Sequence, residues 1–172
     1  MSLSPHTTPS GFLLPSIHAA PPFFTQQPNP ATQAIVTEQW SRLILSYARH
    51  RQLFTVRVED AEVTGAYILE QMAAKNQLVY DPPKQSRSAL LYWRTPEEWA
   101  EVLHEWASTT GQLNTILTFY EIIEPPVPSP LSGIPMQILR KAIHILTKTN
   151  RAQIIAVADG EGVRFLPGNA GK

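Results

Sequence analysis

One succession of elements, helix–strand–helix–strand–strand, is written twice in these 172 residues, and that duplication constrains the fold more than any single motif. Its punctuation comes from proline and from capping residues. Proline fixes φ and lacks an N–H donor, so it opens helices and breaks ladders. Asn29-Pro30 reads as an N-cap followed by a proline at the first helical position. Val36, Trp40, Leu43, Ile44 and Tyr47 then recur at spacings of three or four and share one helix face. Arg49, His50 and Arg51 close that helix, where positive charge complements its dipole. Residues 53–58 alternate and include β-branched side chains, which predicts a strand. Residues 66–76 predict a second helix with Ile68, Leu69, Met72 and Ala73 inward. Residues 78–80 and 89–93 predict a hairpin around the break Asp81-Pro82-Pro83.

The second copy starts at Thr95-Pro96-Glu97-Glu98, which has the form of a capping box. Its first helix is expected to bury Trp99, Val102, Leu103 and Trp106, each contributing about 1.5–3 kcal/mol. Gly111 suits a left-handed cap. Residues 115–122 are β-branched and aromatic and predict a strand. Pro125, Pro126, Pro128 and Pro130 forbid regular structure in the next loop. Pro135 opens a helix to about residue 149 with Ile138, Leu139, Ala142, Ile143 and Leu146 inward. Residues 152–157 and 163–166 form a hairpin around the turn Asp159-Gly160-Glu161-Gly162. Helix–strand–helix–hairpin is the skeleton of a winged helix. The fold class is therefore α+β, with two tandem winged-helix domains. Residues 1–20 read as a disordered Ser/Pro/Thr-rich leader and 21–94 as an arm plus the first domain. Residues 95–167 read as the second domain and 168–172 as a tail. The junction at Arg94-Thr95 has no spacer, which predicts two domains packed rigidly.

Composition narrows the function. The chain is 43% hydrophobic and 16% charged, a globular balance. Fourteen basic and fourteen acidic residues cancel, which removes the bulk electrostatic case for nucleic acid or an anionic membrane. With no cysteine, disulfides and thiolate metal sites are excluded. No stretch reaches the ~20 apolar residues of a membrane span, and no signal peptide is evident. A cytoplasmic protein is expected. His6, His18, His50, His104 and His144 lack metal-ligand spacing. Glu97, Glu98, Glu101 and Glu105 read as a dipole complement and a solvated face. No catalytic residues, metal or cofactor are expected, and the chain is not expected to be an enzyme.

Two features point to partners. Pro21, Pro22, Phe23 and Phe24 form an extended arm that cannot bury its own phenylalanines, so it is either pinned to its own domain or presented to a partner. Arg140, Lys141, His144 and Lys148 form a basic face with no acid among them. That face could enter a DNA major groove, giving the alternative of a nucleic-acid-binding winged helix. Zero net charge and the lack of a basic wing weigh against it. Pro125-Pro126-Val127-Pro128 matches a PxxP pattern, which chance produces often in such loops.

Longer blocks carry a resemblance. PPFFTQQPN (21–29), W..LILSY.RH (40–50), LLYWRTPEEWAEVLHEW (90–106), GQLNTILTFYE (111–121) and RAQIIAVADGEGVRF (151–165) stand in the order found in one family. The chain resembles the vacuolar protein-sorting-associated protein 25 family, the small subunit of the ESCRT-II endosomal sorting complex. The resemblance implies two winged helices in tandem and a non-catalytic adaptor, recruited from cytoplasm to endosomal membrane. It implies that Pro21, Pro22, Phe23 and Phe24 dock on the two larger ESCRT-II subunits. It implies that the second winged helix recruits an ESCRT-III subunit during multivesicular-body sorting of ubiquitinated cargo to the vacuole or lysosome, with Arg140, Lys141, His144 and Lys148 as candidate contacts. An earlier arm motif in the family matches Phe12, Pro15 and Ile17 here, with Ile17 in place of the aromatic. Two departures stand out. The family carries a short helix between the first strand and the inner helix, whereas only residues 59–65 intervene here. Either the first domain lacks its second helix or the sequence has a gap there. The family's acidic loop is replaced by the prolines of residues 125–130.

Overall fold

The structure, a computed structural model, describes residues 6–19, 23, 25–59, 63–81, 87–158 and 160–168. The chain divides into two compact units, Met1–Trp93 and Arg94–Lys172.

Unit 1 opens with strands β1 (His6–Thr7) and β2 (Leu13–Leu14), paired antiparallel, and a single 3₁₀ turn at Ser16–Ala19. The expected disorder of the leader therefore does not hold for residues 6–19. Phe12 explains why: its ring is buried edge-on against Tyr47, 5.2 Å between centroids. Helix α1 (Pro30–Arg51) follows, and Asn29 caps it by accepting from the N–H groups of Ala31 and Thr32. Strand β3 (Thr55–Arg57), helix α2 (Val63–Ala74) and strands β4 (Leu78–Tyr80) and β5 (Ser88–Leu91) complete the unit, with sheet order β3-β5-β4. The apolar stripe of α1 is not its buried face. Thr37, Ser41 and Ala48 are buried, and Ser41 satisfies its hydroxyl on the Thr37 carbonyl at 2.9 Å. Trp40 and Ile44 only flank the core of Ala48, Ile68, Leu69, Met72, Leu78, Ala89 and Leu91.

Unit 2 repeats the order with one addition. Helix α3 (Pro96–Thr109) starts at the expected capping box: Thr95 Oγ accepts from the Glu98 N–H, and the Glu98 carboxylate accepts from the Thr95 N–H. Trp99, Ala100, Leu103 and Ala107 are its buried residues, while Val102 and Trp106 are half-buried. Strand β6 (Ile116–Thr118) ends early, and helix α4 (Phe119–Ile123) replaces the rest of the expected strand. A second capping box explains the switch, with Thr118 and Glu121 exchanging the same pair of bonds. Helix α5 (Met136–Lys148) buries Ile138, Leu139, Ala142, Ile143 and Leu146, as its spacing predicts. Strands β7 (Ala152–Val157) and β8 (Gly160–Phe165) follow, with sheet order β6-β8-β7. Val157 pairs with Gly160, so the hairpin loop is tighter than the expected four-residue turn. Gly160 has φ +135, open to glycine and strained for any other residue.

The duplication extends to the helix ends. Gln52, Asn76, Gly111 and Asn150 all have positive φ. In each case the next N–H returns to the last turn: Leu53 to Ala48, Gln77 to Met72, Gln112 to Ala107 and Arg151 to Leu146. These are Schellman-type closures that reverse the chain into the following segment. Between β3 and α2, unit 1 has no counterpart of α4 among the described residues. Its core is also thinner. Met72 and Leu78 are its largest fully buried side chains, against Trp99, Phe165, Leu103, Ile122, Ile134 and Leu139 in unit 2. The proline loop holds Leu131 and Ile134 inside and leaves Val127 74% exposed.

Replacing Thr118 by alanine removes the cap of α4 and is expected to cost about 1 kcal/mol. Glu121 adds a pH signature. The hydrogen bonds from Thr118 hold its carboxyl below the usual range. A depressed folded pKa gives stability that is present above the unfolded value and lost as pH falls through the folded one. The wild-type advantage should therefore shrink in acid. Urea titrations at neutral pH and near pH 3 check this; an equal gap at both would reject it.

Candidate functional site

Two surfaces carry the residues singled out by the sequence. The first is the outer face of α1 in unit 1. Of the arm residues, Pro21, Pro22 and Phe24 lie outside the described residues. Phe23 lies within them and is 2% exposed. Its ring stacks on Trp40, 4.3 Å between centroids and 8° from parallel. The Trp40 indole N–H donates to the Phe23 carbonyl at 2.7 Å. Of the two fates open to the arm, the structure shows Phe23 pinned to its own unit. The reason is chemical: Trp40 offers a flat apolar face and a donor that needs an acceptor. Beside the stack lies a cavity of about 150 Å³, lined by Phe23, Thr25, Gln27, Val36, Trp40 and Tyr67 among others.

The earlier motif packs one helical turn or more farther along α1. Phe12 touches Tyr47 and lies 5.4 Å from the His50 ring. The His50 Nε2 hydrogen-bonds the Ser10 carbonyl at 3.0 Å. Pro15 is exposed and Ile17 is 37% exposed. Phe12, Leu13, Leu14 and Pro15 border a groove with Gln39, Arg42, Leu43 and Ser46. Thus Phe12 acts as a peg, while Pro15 and Ile17 do not join it inside.

The second surface is on unit 2. Arg140, Lys141, His144 and Lys148 are exposed on the face of α5 opposite its buried row. They are not unopposed, as the local sequence suggested. Arg140 Nη1 donates to the Glu161 carboxylate on β8 at 2.6 Å and its guanidinium sits 5.1 Å over the Phe119 ring. The pair is half-exposed and adds little stability. Arg140, Lys141 and His144 rim a groove floored by Phe119, Ile143 and Ile154. Phe119 and Ile154 escaped the sequence reading. Ile154, 45% exposed, lies on the outward register of β7, and the signal that could have found Phe119 was the Thr118–Glu121 box. At the base of this unit, Arg151 forms a two-pronged pair with Glu101, at 2.9 and 2.6 Å. That contact draws the Glu101 carboxyl below its usual range. Among the described residues, no group of acidic and histidine side chains could hold a metal ion. No described helix is long and apolar enough to cross a membrane.

A model of the ESCRT-II complex subunit family matches residues 17–67 and 61–127. The chain belongs to the ESCRT-II subunit family. The two matched stretches overlap at 61–67, which runs into the start of α2. Vacuolar protein-sorting-associated protein 25 of Danio rerio is 31% identical over 164 residues, spanning 85% of this chain and 94% of the relative. Among solved structures, subunit VPS25 of the endosomal trafficking complex ESCRT-II superposes with a TM-score of 0.75 at 20% identity, covering 88% of this chain and 98% of that one. A chain of the endosomal complex ESCRT-II (VPS22/VPS25/VPS36) superposes with a TM-score of 0.70 at 18% identity, covering 88% and 98%. These superpositions establish an α+β fold shared along most of the ESCRT-II subunit's length.

Proposed function

We infer that this chain is the small, non-catalytic adaptor of an ESCRT-II complex, built from two winged helices. Its arm, Pro21, Pro22, Phe23 and Phe24, docks on two larger subunits. Its second winged helix links the complex to an ESCRT-III subunit in multivesicular-body sorting of ubiquitinated cargo to the vacuole or lysosome. The protein works from the cytoplasm and meets endosomal membrane through the complex. The observation that carries this reading is kinship with vacuolar protein-sorting-associated protein 25 over 85% of this chain and 94% of that relative, joined to a fold shared with a chain of a VPS22/VPS25/VPS36 assembly. Co-expression with the two larger subunits should give a stable complex on gel filtration. Failure to co-elute, with steep salt-dependent binding to bare duplex instead, would favour the nucleic-acid alternative.

The ESCRT-III contact is assigned to the groove of unit 2. An apolar floor with cationic sides suits an amphipathic helix carrying acidic residues, and charge would act mainly on the association rate. Reversing Arg140 and Lys141 to glutamate should weaken ESCRT-III binding about tenfold or more at low salt. Circular dichroism checks the fold. Unchanged binding at low salt would reject this surface and leave assembly with the larger subunits untouched.

A further inference from the structure

We propose that Glu161 is a built-in occupant of the anion seat in the unit 2 groove, a competitor that an acidic helix must displace from Arg140. This rests on the assignment of that groove to a partner helix made above, and adds to it a residue that tunes affinity. Three observations carry it. First, Glu161 stands where a bound acid would stand. Residues opposed across an antiparallel pair, and alternate residues along one strand, share a sheet face. Glu161 pairs with Ala156, two residues beyond Ile154 on β7. It therefore shares the face of Ile154, which helps to floor the groove. Second, Arg140 is prepared for a carboxylate. Its guanidinium lies 5.1 Å over the Phe119 ring of the groove floor. Its Nη1 already donates to the Glu161 carboxylate at 2.6 Å. Arginine presents its donors in a flat fork that suits carboxylates. Third, the occupant can leave. Register in β8 fixes the backbone of Glu161, but its side chain is 49% exposed and that of Arg140 is 54% exposed. Water screens such a pair, so it strengthens the seated state by no more than about fivefold. While seated, Glu161 both holds Arg140 and repels an incoming acid. Its departure leaves Arg140, Lys141 and His144 as an undiminished cationic rim over the apolar floor.

A synthetic amphipathic helix of leucine and glutamate, titrated into the full chain at low salt, tests this. Methyl resonances of Ile143 and Ile154 report its binding to the groove. Glu161→Gln should bind the peptide about two- to fivefold tighter than wild type. Glu105→Gln removes the same charge from an exposed position on α3, outside the groove and the Arg140 pair. It should leave affinity within about 1.5-fold of wild type. In an Arg140→Gln background, Glu161→Gln should gain no more than Glu105→Gln, because the cycle isolates the pair. Raising the salt should narrow the gap between Glu161→Gln and wild type. Glu161→Gln binding no tighter than Glu105→Gln would overturn the proposal. Weaker binding would overturn it too, because Glu161 then positions Arg140 for the partner. So would an undiminished gain without Arg140, because the charge then acts without the seat. A peptide that shifts neither methyl in any variant would remove the seat altogether. The ESCRT-III subunit should follow the same order of affinities as the peptide. If the peptide series holds and the ESCRT-III subunit binds none of the variants, the ESCRT-III reading fails and the role of Glu161 stands.

Discussion

Trp99→Ala should destabilise unit 2 by about 3–5 kcal/mol, the range for truncating a large aromatic in a packed core. Trp99 is 1% exposed and lies one turn inside α3, directly after the capping box. The Arg94 guanidinium covers its ring at 4.9 Å. The helix bears it beside Ala100 and Leu103, both fully buried, so neighbouring atoms have little freedom to collapse into the space. For a unit of this size, that loss corresponds to a melting temperature lowered by more than about 10 °C. Urea unfolding followed by near-ultraviolet circular dichroism measures it. A change under about 1.5 kcal/mol would mean that Trp99 does not anchor α3.

Phe23→Ala should weaken binding of the two larger ESCRT-II subunits by at least about 2 kcal/mol, close to thirtyfold, if the ring is an interface anchor. Prolines flank it in the sequence and restrict the unbound segment, which lowers the entropic cost of docking. The structure adds a correction to that magnitude. Truncation also removes the ring from Trp40, so the free chain loses a contact as well. The measured loss is therefore a lower bound on what the ring contributes at the partner. Titration calorimetry on a variant whose circular dichroism is unchanged supplies the number. Wild-type affinity in that variant would remove Phe23 from the interface.

Local signals marked the helices and their limits. Asn29, the Thr95–Glu98 box, Gly111 and the inward row of α5 act within one or two turns, and capping and periodicity decide them before any tertiary contact forms. The same chemistry at Thr118 and Glu121 passed unread because Phe119, Ile122 and their neighbours look like strand residues. There the cap prevailed over β propensity, and Phe119 and Ile122 became buried on α4 instead. The left-handed closures at Gln52, Asn76 and Asn150 were similarly hidden, since polar residues at positive φ carry a weaker signature than glycine.

By itself, then, the sequence indicated the duplicated order of helices and strands, apart from β1, β2 and α4, and kinship with the ESCRT-II subunit family. These depend on local backbone chemistry and on blocks of residues that persist along the chain. Only the tertiary structure decided where the apolar stripe of α1 goes. Periodicity shows that Val36, Trp40, Leu43 and Tyr47 share a face, but not what covers it. The cover comes from Phe12 and Phe23, which stand 35 positions before Tyr47 and 17 positions before Trp40. The pairing of Arg140 with Glu161, 21 residues away on β8, was equally invisible. Contacts across such separations follow from how elements pack, and no window of sequence contains both partners.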